Sequence, residues 1–421
     1  MNRIRNDASS QTAYWIAQPE PGLTPETIVG RARALRPLLR QQQEESDWRG
    51  SYSPEVHQKL LEGGLYRILT PAMFGGYEME PSVFIRAVAE IARGHPAAGW
   101  CYALGASHAF LLASHFPEEV QRSMFGSDGE FRSSAVAGPA GKMTPVNGGY
   151  IVDGLFPFAS GVTYATHFIG GSLIPSVAGP PRHVFFVLPL AEGEIVTDWG
   201  EGRFMGMQAS GSNSVRITER FVPQAQVIGT GMLMSSEHAP EGTPGVKLHG
   251  NPMYTGVLLG WFNIEFAAIL SGTAQAALDE FEEAAHTKAL TGNPLLKRKQ
   301  DPFVQNLFGH CKGMADAAWA LTLAAADLYL QQARTAVDER RPVTGNETFQ
   351  VWGLAQQAAH LACEAVERLF HASGASTGRS DQHLQRYFRD IEMYRLHIQS
   401  QPIIPTARGR VELGLASGLF D

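Results

Sequence analysis

The sequence predicts an α+β chain of three successive units: a helical one, a β-barrel or β-sandwich, and an antiparallel four-helix bundle. Three observations carry this. Helical periodicity runs from about residue 24 to residue 129. It is lost from 130 to 228, where Gly, Pro, Val and Thr dominate. It returns in long apolar-striped segments beyond a Gly/Pro/Met-rich connection at 229–252. The boundaries are therefore placed at 1–129, 130–228 and 229–421, and 421 residues are too many for one ordinary core.

The helices come first. Residues up to about 20 read as a loose tail. Thr24-Pro25-Glu26 is a start signal, a hydroxyl cap followed by Pro, for a helix reaching roughly residue 45. Ser53-Pro54-Glu55 repeats it, and Gly63-Gly64 ends that second helix. Phe74-Gly75-Gly76-Tyr77 is a turn. Pro81 opens a third helix with Val83, Phe84, Ala87, Val88 and Ile91 on one stripe. Gly94-His95-Pro96 breaks it before an apolar helix at 97–116, and Pro117 begins another.

In the β unit, strands are expected at 131–137, 150–156, 168–173, 183–188, 195–199 and 214–221. Asn147-Gly148-Gly149 accepts the positive φ of a hairpin turn. Val215, Ile217 and Phe221 share one face at period two. Phe156-Pro157-Phe158-Ala159-Ser160-Gly161 ends the second strand. Read alone, it is either a strand end with a capped turn, or a floor for a flat ligand with Ser160 as a hydrogen-bond donor. The bundle helices are expected at 256–287, 302–337, 347–370 and 383–399.

Composition excludes several classes. With 34 Lys and Arg against 41 Asp and Glu, the chain carries a net charge of −7 and has no basic nucleic-acid footprint. The apolar stretches 97–116 and 256–278 contain Ser107, His108, His115, Asn263 and Glu265, which suit buried helices better than membrane spans. The N-terminus lacks the apolar core of a signal peptide. Cys101, Cys311 and Cys363 lie far apart without metal spacing, so no metal site is expected, and they suggest a reducing cytoplasm.

Four stretches then match a known architecture: YRILTPAMFGGYEM at 66–79, GPAGKMTPVNGGYIVDG at 138–154, MGMQASGSNSVRITERFVP at 205–223 and IEFAAILSGTAQAALDEF at 264–281. In this order they resemble the acyl-CoA dehydrogenase fold, over nearly the whole chain. Within that superfamily three segments look more like the reduced-flavin-dependent oxygenase components of two-component phenol hydroxylases, such as the 4-hydroxyphenylacetate hydroxylases. They are GWCYALGASH at 99–108, FPFASG at 156–161, and ASGASTGRSDQHLQRYFRDIEMYRLHIQ at 372–399.

The resemblance implies that reduced FMN or FAD, supplied by a separate NAD(P)H:flavin reductase, reacts with O2 to a C4a-hydroperoxide that hydroxylates a small aromatic molecule. It implies Ser160 near flavin N5, the backbone of Phe158 and Ala159 along the ring edge, Trp100 over the ring, and His108 against substrate. The bland readings are a strand-cap serine, a core aromatic and a satisfied core histidine. His397 is implied as the active-site histidine, accepting a phenol proton from a helix that also carries Arg389; its bland reading is a surface residue. Gly374, Ala375 and Ser376 suit a flavin phosphate or form a plain interhelical turn. Arg298 is either a solvated charge or a phosphate contact from a neighbouring subunit of a homotetramer. Arg389 and Asp390 read as a structural ion pair. Ser133-Ser134-Ala135 puts Ala where many phenol hydroxylases have a substrate-binding serine, which argues against hydroxyphenylacetate itself.

Three alternatives remain at this stage. An acyl-CoA dehydrogenase needs a carboxylate base, for which Glu265 and Glu392 are candidates. An N-oxygenase of an amine or amino sugar shares the fold. A flavin-free scaffold would have its pocket filled by side chains. No dinucleotide-binding glycine pattern follows a strand, so no nicotinamide site is expected.

Overall fold

The computed structural model describes residues 20–176, 179–237, 239–290 and 292–418, with two short antiparallel strands, β1 (Ile4–Asn6) and β2 (Ala13–Trp15). The Thr24 hydroxyl caps the first helix by accepting from Thr27 N, with Pro25 behind it. The single helix expected to residue 45 is three: α1 (Pro25–Ala34), α2 (Arg36–Gln41) and α3 (Gln43–Arg49). Pro37 has no N–H, and its ring clashes with the turn before it, which interrupts the helix at Leu35. Beyond it lie α4 (Pro54–Glu62), capped by Ser53, then α5 (Pro81–Gly94), α6 (Pro96–His115) and α7 (Glu118–Phe125). The α5 stripe is buried as expected, and α6 is buried nearly all round.

Seven strands follow in one sheet: β3 (Ser133–Val146), β4 (Gly149–Phe156), β5 (His167–Ile174), β6 (Arg182–Pro189), β7 (Glu194–Val196), β8 (Ser214–Pro223) and β9 (Val227–Gly229). Their order is β7-β8-β4-β3-β5-β6-β9, with β3 and β5 parallel and the other pairs antiparallel. The expected barrel or sandwich thus takes the form of one sheet folded over its own small core. Phe156 on β4 meets Phe186 on β6 at 5.7 Å, while the edge strands β7 and β9 do not pair with each other.

Phe221 departs from its expected face. Val215 and Ile217 are buried, but Phe221 is 48% exposed and Val222 is buried instead. The β4–β8 register shifts between Val152 and Gly154, and Glu219 has φ +46. The extra residue of that bulge moves every later side chain to the other face.

The connection carries α8 (Pro244–His249). Then come α9 (Leu258–Thr287), a hairpin of β10 (Ala289–Leu290) and β11 (Asn293–Lys297), α10 (Pro302–Asp338), α11 (Gly345–His371), α12 (His383–Leu396) and α13 (Ile403–Glu412). α9, α10 and α11 pack on one another, α12 lies against α9 and α11, and α5 runs along α9. One continuous apolar core therefore joins the N-terminal helices to the C-terminal ones. α12 stops at Leu396 rather than near residue 399, leaving His397 extended at φ −72, ψ 144. Among the described residues no helix is long and apolar enough to cross a membrane, and no group of His, Cys, Asp and Glu could hold a metal. The three cysteines are buried and unbridged.

Candidate active site

A cavity of about 610 Å³ opens where α6, α9, the end of α12 and the sheet meet. α6 supplies Trp100, Leu104, His108 and Leu111, spaced at i, i+4, i+8 and i+11 on one helix face. α9 supplies Phe262 and Phe266, one turn apart. Phe266 stacks on Trp100 at 4.7 Å with 18° between the planes, and Phe262 stands edge-on to His108 at 5.8 Å. His397 closes this wall, edge-on to both Trp100 (5.7 Å) and Phe266 (5.0 Å).

The sheet side supplies the polar atoms. Trp100 Nε1 donates to Ser160 Oγ at 3.1 Å. Ser160 Oγ lies 2.8 Å from Ser212 Oγ, which lies 2.6 Å from Ser210 Oγ. Gly211, at φ +58, holds the last two hydroxyls on one side of a tight turn. Phe158 is 61% exposed at the rim and takes φ +62, a strained conformation for a bulky residue. Ala159 lies behind the cavity, in the sheet's own core, with its N–H given to Asn213 O.

The two imidazoles differ in form. His108 Nδ1 lies 2.6 Å from the Ser133 carbonyl oxygen, which can only accept, so Nδ1 carries the proton and Nε2 is left bare. His397 Nδ1 accepts from Gln399 N at 3.3 Å, so its proton sits on Nε2. Burial lowers the pKa of each to about 4, and the bond to Ser133 only partly offsets this for His108. Both are neutral at pH 7.

The other sequence candidates lie elsewhere. Glu265 is fully buried away from the cavity, and burial raises its carboxyl well above the usual range, with Ser107 and Trp261 its polar neighbours. Glu392 pairs with Arg395 at 2.6 Å outside the cavity. Neither is placed to act as a base there. Arg298 gives Nη2 to Ala372 O at 2.7 Å, beside the exposed turn of Gly374, Ala375 and Ser376, and none of these four lines the cavity. Arg389 and Asp390 are not each other's partners, because adjacent helical residues point about 100° apart. Arg389 reaches Asp47 at 3.6 Å and Met205 O at 2.7 Å, while Asp390 accepts from Met207 N at 2.5 Å. Sequence reasoning missed Ser210, Ser212, Met207, Phe262 and Phe266. Ser210-Gly211-Ser212, two hydroxyls flanking a Gly, was the one local signal available.

An open apolar cavity with an aromatic wall, a hydroxyl held against it and two neutral imidazoles suits a flat, redox-active ring such as a flavin. Residues 264–402 match the family described as acyl-CoA dehydrogenase, C-terminal domain. The chain is 28% identical to the flavin-dependent monooxygenase, oxygenase subunit HsaA, of Rhodococcus jostii (strain RHA1), covering 88% of this chain and 94% of that one. It is 26% identical to the p-hydroxyphenylacetate 3-hydroxylase, oxygenase component, of Acinetobacter baumannii, covering 82% and 79%. The solved structure of 3-HSA hydroxylase from Rhodococcus sp. RHA1 superposes with a TM-score of 0.82 at 26% identity, covering 92% of this chain and 97% of that one. These findings bear out the resemblance: over most of its length the chain is similar to oxygenase components of flavin-dependent monooxygenases, and it has the acyl-CoA dehydrogenase-like fold.

Proposed function

We propose that this protein hydroxylates a phenol in the cavity between α6, α9 and the sheet, as the oxygenase component of a two-component system. The observation that carries this is the meeting of Trp100, Ser160, His108 and His397 in a cavity that, among the described residues, no carboxylate lines. An acyl-CoA dehydrogenase requires such a carboxylate. N-oxygenation of an amine is disfavoured for the same reason, since an ammonium would find no counter-ion. The open cavity argues against a filled scaffold.

When bound, reduced flavin supplies the activated oxygen. The protein's residues hold, orient and move protons. Trp100 and Phe266 offer flat faces. Ser160 offers its hydroxyl proton to the ring edge. His108, with Nε2 bare, is the group that can accept the phenolic proton, and the phenolate is the better carbon nucleophile. His397, with Nε2 protonated, is a donor to developing negative charge. This exchanges the role that the resemblance implied for His397.

Arg298 and the 374–376 turn form a second polar patch, which supports a flavin-phosphate contact made across subunits of a homotetramer. The same reading includes a separate NAD(P)H:flavin reductase, a cytoplasmic location and three units divided at residues 129 and 228. The experiment is to add O2 to protein preloaded with chemically reduced flavin and a phenol. Hydroxylated product is expected. Flavin reduction by an acyl-CoA, with no product from any phenol, would refute the proposal.

A further inference from the structure

No ionised side chain faces the cavity: among the described residues that line it there is no Asp, Glu, Lys or Arg. The imidazoles of His108 and His397 add no charge near pH 7, because burial holds both near pKa 4. Ser160, Ser210, Ser212, Tyr394 and Gln399 are polar but uncharged, and most of the remaining wall is apolar, built on Leu104, Leu111, Ile169, Phe185, Phe262 and Met393. Ala135 also faces in, while the neighbouring Ser133 turns its hydroxyl to the Ser134 carbonyl. The apolar character continues outward. At the mouth Phe158, Leu396 and Ile398 are 61%, 73% and 59% exposed, yet all three line the cavity.

Two consequences follow for the ligand. A carboxylate or ammonium placed here loses its water and gains no opposite charge, which is strongly unfavourable. A one-ring phenol satisfies the imidazoles but leaves much of the apolar wall and rim in contact with water, whereas a second ring covers it.

We propose that the substrate is an uncharged phenol of two or more rings, and that phenols bearing a carboxylate are rejected. The hydroxyl sits within reach of His108 and His397, and the apolar ring system lies along α6 and α9 towards the mouth. This rests on the phenol-hydroxylase reading above.

The test compares ligand pairs differing by one group. 2-Naphthol and 6-hydroxy-2-naphthoate differ by a carboxylate, while phenol and 2-naphthol differ by a ring. Each is titrated anaerobically into the protein, with and without reduced FMN, and binding is followed by quenching of protein tryptophan fluorescence. 2-Naphthol is expected to bind at least about a hundredfold tighter than its carboxylated partner and about tenfold or more tighter than phenol. The proposal is overturned if the hydroxynaphthoate matches 2-naphthol, or if the second ring brings no gain. Admitting O2 then separates the two levels. Hydroxylated product from a carboxylated or one-ring phenol preserves the hydroxylase reading while this proposal fails. No product from any phenol overturns both.

Discussion

The Ser160 hydroxyl lies between a fixed donor, Trp100 Nε1, and the Ser212 hydroxyl, which can donate or accept. Trp100 Nε1 is a pure donor and fills one acceptor site on Ser160 Oγ. Buried Ser210 has Ser212 as its hydroxyl partner, and Ser212 has Ser160 as its other one. Satisfying every buried proton orients the chain as Ser210 to Ser212 to Ser160, so the last proton points into the cavity. In Ser212→Ala the Ser160 hydroxyl loses a fixed direction. Hydrogen peroxide released per hydroxylated product should then rise several-fold, as expected for about 1 kcal/mol, with substrate affinity unchanged; an unaltered ratio counts against the relay. The histidines separate in the same way. His108→Ala should slow product formation by about a hundredfold. Much of that rate should return at high pH, where a phenol of pKa about 10 ionises unaided. His397→Ala should show no such recovery. Trp100, Ser160, His108 and His397 were legible because each lies within a short recognisable segment. The serine relay was not, since Ser160 and Ser212 are 52 residues apart and meet only once β4 and β8 have paired.

At the scale of elements, the cavity depends on how α12 grips the sheet. Gly206 sits against the backbone of α12, where a Cβ would lie 2.1 Å from Arg389 O. This approach puts Met207 N on Asp390 and Met205 O on Arg389, while Arg386 and Arg389 hold Asp47 of α3 from the other side. Met207 in turn lines the cavity. Burial and the nearby Asp47 raise the Asp390 carboxyl, so the backbone bond is made in a dry setting. Asp390→Ala leaves a buried N–H unpaired and should cost about 1–3 kcal/mol. A lower urea midpoint with an unchanged slope is the measurement, and an unshifted midpoint would refute the latch. The order and caps of the helices were readable because Pro and hydroxyl caps act locally. The split at Pro37 had the same local signal and was passed over, whereas the bulge at Glu219 and the end of α12 at Leu396 were not readable, because each depends on what the neighbouring chain requires.

Across the whole molecule, buried imidazoles set the response to acid. Burial lowers His57, His108, His167, His249 and His397 to about 4 and His95 to about 3, against 6.5 when unburied. The folded state therefore binds fewer protons than the unfolded one from about pH 6.5 down to 4. This stability is present in full above 6.5 and is lost as pH falls through that window. Asp47, Glu265 and Asp390 are raised by burial and work in the opposite sense, but six imidazoles outnumber three carboxyls. The urea midpoint should thus fall steadily between pH 7 and 5, and a constant midpoint would contradict the burial of these rings. The charge-free lining has a kinetic counterpart. The chain carries −7 overall, so a flavin phosphate approaches a like-charged body, and its association should quicken with ionic strength. An uncharged phenol feels neither that field nor any charge in the wall, and its rate of entry should not change. In stopped-flow mixing, added salt then becomes a lever that moves cofactor delivery and leaves substrate uptake where it was.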